Sequence, residues 1–104
     1  MKKRMAKKRV IEVWQYLADY PEIRDKGHLP DHIFAKIRGC VHLCPLCDLF
    51  NPVITGAEDC TGCPLGSCDT GSYFERWILA RRYDNATRKI NAQAIVDAVK
   101  AWEI

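Results

Sequence analysis

Between Cys40 and Gly71 the chain reads CVHLCPLCDLFNPVITGAEDCTGCPLGSCDTG, a stretch holding all six cysteines, three of the five prolines and four of the six glycines. Proline removes a backbone donor and glycine gives up conformational restraint, so this composition predicts no helix there. The one strand-like fragment, Pro52 to Thr55, is too short to build a sheet. An irregular segment of this length inside a domain drawn from 104 residues needs something to order it, and a small core is itself only marginally adequate. The cysteines are the candidates for both tasks.

Their spacing is Cys40-x3-Cys44-x2-Cys47, twelve residues, then Cys60-x2-Cys63-x4-Cys68. A CxxC turn brings two thiolates to one point while backbone N–H groups face the sulfurs, and two such turns complete a tetrahedral shell of four sulfurs. Cys44-Pro45-Leu46-Cys47 and Cys60-Thr61-Gly62-Cys63 are the two expected turns. Zn2+ is the first expectation for the ion, and a 4Fe–4S cluster is the alternative, because thiolate softness serves both. Cys40 and Cys68 are the outer members of the set. His42 lies between cysteines and is open to two readings, a replacement ligand or an exposed imidazole; His28 and His32 flank Pro30 in a turn and a helix start.

Other cysteine chemistries fit less well. The CxxxCxxC spacing of Cys40, Cys44 and Cys47 also serves radical enzymes that use a 4Fe–4S cluster, but no strand and helix alternation supplies their barrel. Fungal two-zinc modules begin each half with CxxC and a longer gap, which the first half here lacks. A glutaredoxin-like CPxC needs a preceding strand to set its first thiol at a helix start. A zinc deaminase needs H-x-E, which is absent. Beyond the cysteines no nucleophile, base or phosphate-loop pattern stands out, so no small-molecule substrate is indicated and a non-enzymatic role is expected.

CPLC (Cys44 to Cys47), CTGCPL (Cys60 to Leu65), Cys68, YFERW (Tyr73 to Trp77) and a terminal amphipathic helix together resemble small uncharacterised cysteine-cluster proteins encoded by phages, prophages and related bacterial loci. The resemblance covers roughly residues 8 to 103. It implies no particular activity; it does imply that Cys44, Cys47, Cys60, Cys63 and Cys68 form one constellation, and it leaves Cys40 outside the shared pattern.

The flanks of the cysteine segment are helical in pattern. Val10, Val13, Trp14, Leu17 and Ala18 recur at three- and four-residue spacing from about Met5 to Tyr20, with Pro21 and Gly27 beyond. A short helix is expected from Asp31 to Arg38, with Ile33, Phe34 and Ile37 on one face and Gly39 as its stop. Ser72 opens a third helix to about Arg82, with Glu75 placed for a capping box. The last, near Ala86 to Trp102, carries Ile90, Ala94, Ile95, Ala98, Val99 and Trp102 on one stripe. The expected fold is therefore mainly α, a small single domain with two helices on each side of an irregular metal-binding loop at 40–71.

Net charge is +3, but six of the sixteen basic residues lie at Lys2, Lys3, Arg4, Lys7, Lys8 and Arg9, and what remains is ten basic against thirteen acidic. Residues 1–9 thus read as a basic N-terminal arm and 10–104 as the domain. Lys7, Lys8 and Arg9, with a second concentration at Arg81, Arg82, Arg88 and Lys89, are the candidates for contact with nucleic acid, and the partner class is a macromolecule, protein or nucleic acid. Glu12, Gln15 and Asp19 break the apolar run that a secretion signal would need after the basic start, and no stretch is long enough to cross a membrane. A cytoplasmic protein is the expectation, where CxxC pairs bind metal more often than they form disulfides.

Overall fold

Seventeen residues without glycine or proline, Lys3–Asp19, form helix α1. The expected stripe faces inward: Val10, Val13, Trp14, Leu17 and Ala18 are buried, joined by Ala6 one turn earlier. The computed structural model describes residues 2–40, 43–50, 63–66, 72–80 and 84–104. Residues 3–9 are the first turns of α1 rather than a separate arm, because Ala6 is part of the core and ties them to it. No side chain caps its N-terminus: Lys2 makes no side-chain cap bond and the first turn has no acidic residue, so packing holds this end against the helix dipole.

After Asp19 the chain passes through a single 3-10 turn, Lys26–His28, to the four-residue helix α2, Asp31–Phe34. The expected helix to Arg38 is shorter than its pattern suggested. Beyond Phe34 the backbone tightens, with Lys36 N donating to Ile33 O at 3.0 Å and Ile37 N to Phe34 O at 3.0 Å, and ends at Gly39 with φ +81°. Ile33 and Ile37 are buried as expected, and Phe34 half-buried.

The expectation that no helix occurs in the cysteine segment is corrected. Pro45–Phe50 forms α3, with Pro45, Leu46 and Cys47 buried. Proline at the first helical position loses nothing, since its missing N–H has no intrahelical acceptor there. Helix α4, Tyr73–Leu79, begins at Ser72, whose hydroxyl accepts from Glu75 N at 3.1 Å, as the cap pattern predicted. Helix α5, Asn85–Lys100, begins at Asp84, whose Oδ1 accepts from Thr87 N and Thr87 Oγ1, both at 2.8 Å. Among the described residues there is no strand; Pro52 to Thr55 lies outside them.

α1 packs mainly along α5, and the two run antiparallel. Lys7 Nζ donates to Trp102 O at 2.6 Å, Gln15 Nε2 to Gln93 Oε1 at 3.1 Å, and Arg88 Nε to Pro21 O at 3.2 Å, so climbing one helix descends the other. α2 and α3 lie against α1, and α4 lies against α5. One core cluster spans both sides of the cysteine segment, with Leu29, Ile33, Ile37 and Leu46 joining Trp77, Ala92, Ile95, Val96 and Val99.

The face of α5 differs from the expected stripe. Ile95 and Val99 are buried, but Ile90 is 69% exposed and Arg88 is 0% exposed. Arg88, Ala92, Ile95 and Val99 share one face, and Ile90, two residues past Arg88, points to the other.

Candidate metal centre

At the centre of the core Trp14 meets two other aromatic rings edge to face. Trp14 and Trp77 lie at 4.8 Å and 88°, Trp14 and Phe74 at 6.2 Å and 85°, and Phe74 packs 6.1 Å from Trp77. Two cations cap this cluster. Arg88 sits over Trp77, 4.5 Å from its centroid, and Lys26 sits 5.7 Å from Trp14 and 5.0 Å from Phe74. Lys26 Nζ also donates to Leu43 O at 3.1 Å, which brings its charge to the first cysteine turn.

That turn is built by backbone. Gly39 bends the chain out of the α2 region, Leu43 N donates to Cys40 O at 2.9 Å, and Leu43 takes the left-handed conformation at φ 52°. A bulky residue held there stores about 1 kcal/mol of strain. The strain sits immediately before Cys44, which precedes α3, and Cys47 N donates back to Cys44 O at 3.0 Å. The arrangement favours a thiolate at Cys44. A hydrogen bond from the Cys47 thiol, the Lys26 charge, and the backbone N–H groups of Leu46 and Cys47 outweigh burial and hold Cys44 down to about 6. Cys40 is the opposite case: burial first, then the neighbouring Asp48 carboxylate, push its thiol up to about 11.

Cys44 and Cys47 are thus brought together, Cys44 half-buried and Cys47 buried. Cys63 is half-buried, packs against the same core, and opens a turn in which Gly66 N donates to Cys63 O at 3.0 Å, with Gly66 at φ +67°. Cys60, Cys68 and His42 lie outside the described residues. Among the described residues no three His, Cys, Asp or Glu side chains converge into a ligand set. His28 is exposed and its Nδ1 lies 3.2 Å from Asp25 Oδ2, while His32 packs its ring edge against Tyr16 at 6.2 Å.

The candidates for nucleic-acid contact divide. Arg88 leaves the set, because its guanidinium is wholly buried, with Nη2 donating to Ile23 O and Arg24 O, both at 2.9 Å. Lys8 is exposed and 3.9 Å from Glu12, Arg9 is half-buried, and Lys7 is engaged with Trp102 O. Lys89 is exposed and borders an open groove of 380 Å³ with Ile90, Gln93, Ala94 and Asp97. Arg81 and Arg82 lie outside the described residues. Lys26 was not among the residues the sequence singled out, and no local signal marks it, since a single lysine in a polar turn has no periodicity to read.

Compared with protein-family models, characterised proteins and solved structures, the chain matches none. No helix among the described residues is long and apolar enough to cross a membrane.

Proposed function

We propose that this chain is a small metal-thiolate protein in which Cys44, Cys47, Cys60 and Cys63 hold one Zn2+, with Cys68 beside them, and that the ion's task is structural. The observation that carries this reading is the state of Cys44: it is placed before α3 with the Cys47 thiol and two backbone N–H groups directed at its sulfur and a buried cation close by. Metal sites need deprotonated sulfur, and binding to preformed thiolate releases fewer protons. Cys63, turned by Gly66 and seated on the same core, supplies a second anchor of the expected shell. The ion would tie the segment between α2 and α4 to the α1–α5 pair, and the outer surface, with Lys8 and Lys89 exposed on it, would meet a macromolecule, protein or nucleic acid. The pattern of the cysteines and YFERW, which resembles that of small uncharacterised phage-type cysteine-cluster proteins, supports this reading only in grouping the cysteines as one constellation.

Elemental analysis and absorption of protein purified without air test it. One zinc per chain and no visible absorbance are expected, and Cys63→Ser should lose the zinc and lower the unfolding midpoint together, because metal affinity in a small domain is part of its folding free energy. A brown protein with bound iron overturns zinc in favour of a 4Fe–4S cluster that transfers electrons or senses redox state. Unchanged metal content and stability in Cys63→Ser overturn the ligand set.

A further inference from the structure

We infer that the open groove on α5 is where two copies of this chain meet, their α5 helices antiparallel, with Lys89 of each copy against Asp97 of the other. The inference goes beyond the metal reading and stands without it.

α5 gives one face to the core, through Arg88, Ala92, Ile95, Val96 and Val99. The opposite face carries Ile90, the most exposed of the large hydrophobic residues described, with Ala94 half-buried one turn on and Lys89, Gln93 and Asp97 lining the same groove. One exposed isoleucine is ordinary on a protein surface; the groove beside it and the order of charge along it are what select an occupant.

Lys89 and Asp97 stand about 12 Å apart along the axis of α5, with Gln93 midway and donating from Nε2 to Asp97 Oδ1 at 3.1 Å. A two-fold axis at the level of Gln93 turns that order onto itself. Each Lys89 then comes level with Asp97 of the other copy, and each Ile90 falls between the levels of Ala94 and Asp97 of the other copy, over its groove. The cation lies nearer the start of α5 and the anion nearer its end, the reverse of the order that the dipole of a single helix rewards. In the antiparallel pair each charge lies alongside the half of the other helix that favours it. A nucleic acid is the poorer fit, since a phosphate backbone asks for cations, and Asp97 and Ile90 meet it with repulsion and an apolar surface. A second copy meets each feature with its complement, apolar on apolar and lysine on aspartate, and the charges fix the register.

Sedimentation velocity of the protein as purified, from micromolar to millimolar concentration, reads the association. Wild type should shift from monomer to dimer across that range. Lys89→Glu and Asp97→Lys each set like charges across the two-fold axis, and each should weaken association by about tenfold or more. Both changes lie on an exposed face and suit the dipole of α5, so the helical signal in circular dichroism should be unchanged. Mixed in equal amounts, the two variants should recover the wild-type dimer, because every pair across the axis is then of opposite charge. Ile90→Ser, which leaves both charges in place, should also weaken the dimer. Wild type that stays monomeric throughout overturns the inference, whether or not a DNA duplex or another protein binds this face. A dimer that any of the three variants keeps undiminished overturns it as well. Two monomeric variants whose mixture stays monomeric overturn the antiparallel register and the inference with it.

Discussion

The guanidinium of Arg88 lies over the ring of Trp77 at 4.5 Å and donates to the carbonyls of Pro21, Ile23 and Arg24. This one side chain ties the turn after α1 to both α4 and α5. A loop with its carbonyls turned inward would otherwise leave buried acceptors without donors, and the planar fork of arginine can reach three of them while its face stacks on indole.

Arg88→Ala should therefore cost about 3 kcal/mol, from lost charge-assisted hydrogen bonds and stacking, read as the shift in urea unfolding. Arg88→Lys should recover less than half, because a point charge cannot serve three carbonyls and a ring together. A loss below about 1 kcal/mol in Arg88→Ala would show that the turn finds other donors.

Glu12 pairs with Lys36 of the turn after α2 and lies 3.9 Å from Lys8. The Lys36 hydrogen bond, against some desolvation, holds the Glu12 carboxyl below its ordinary 4.5. Since the folded value is depressed, the pair stabilises the fold above pH 4.5, and that contribution disappears as pH falls through the lower folded value. Glu12→Gln should lose about 0.5 kcal/mol at pH 7, the range of partly exposed pairs, and almost nothing near pH 2. Equal losses at both pH values would assign the effect to packing.

α1 starts with Lys3 and Arg4 at the end of the helix where the dipole is positive. Lys3→Glu should raise stability by about 0.5 kcal/mol in thermal or urea unfolding. If the basic start contacts phosphates, the same change should weaken binding to a DNA or RNA duplex and reduce the salt dependence of that binding. A variant that is more stable and binds as before would remove Lys3 from the contact surface.

Gly39 has φ +81° and nothing within 4 Å of where a Cβ would sit, so substitution there meets strain without a clash. Gly39→Ala should cost about 1 kcal/mol, and Gly39→Asn less, because asparagine tolerates the left-handed region better. Equal losses for the two would indicate that the turn relaxes out of this conformation.

Particular residues show how far local pattern carries. Val10, Val13, Trp14, Leu17 and Ala18 could be read as a buried stripe because helical periodicity is written in consecutive residues, and Ser72 could be read as a cap because its acceptor bond closes over three positions. α3 escaped because Pro45 reads as a breaker, although the first turn of a helix accepts it. The stripe of α5 reads Ile90 as inside and Arg88 as outside, yet α5 turns its Arg88 face to the core, where three carbonyls accept from the guanidinium and Trp77 stacks on it. Cys44 was legible as a thiol at metal-ligand spacing; its low-lying thiolate was not, because Lys26, which contributes to it, comes from a turn with no sequence relation to the cysteines.

The sequence by itself determined that the chain is mainly helical, where α1, α4 and α5 run, and that Cys44, Cys47, Cys60 and Cys63 have the spacing of metal ligands. Only the tertiary structure decided which face of α5 is buried, that Arg88 is a core residue, and that Lys26 stands beside Cys44. The physical reason is range. Periodicity, caps and turns act over three to five residues, whereas the burial of a charge is decided by acceptors and rings that the fold brings together from distant parts of the chain.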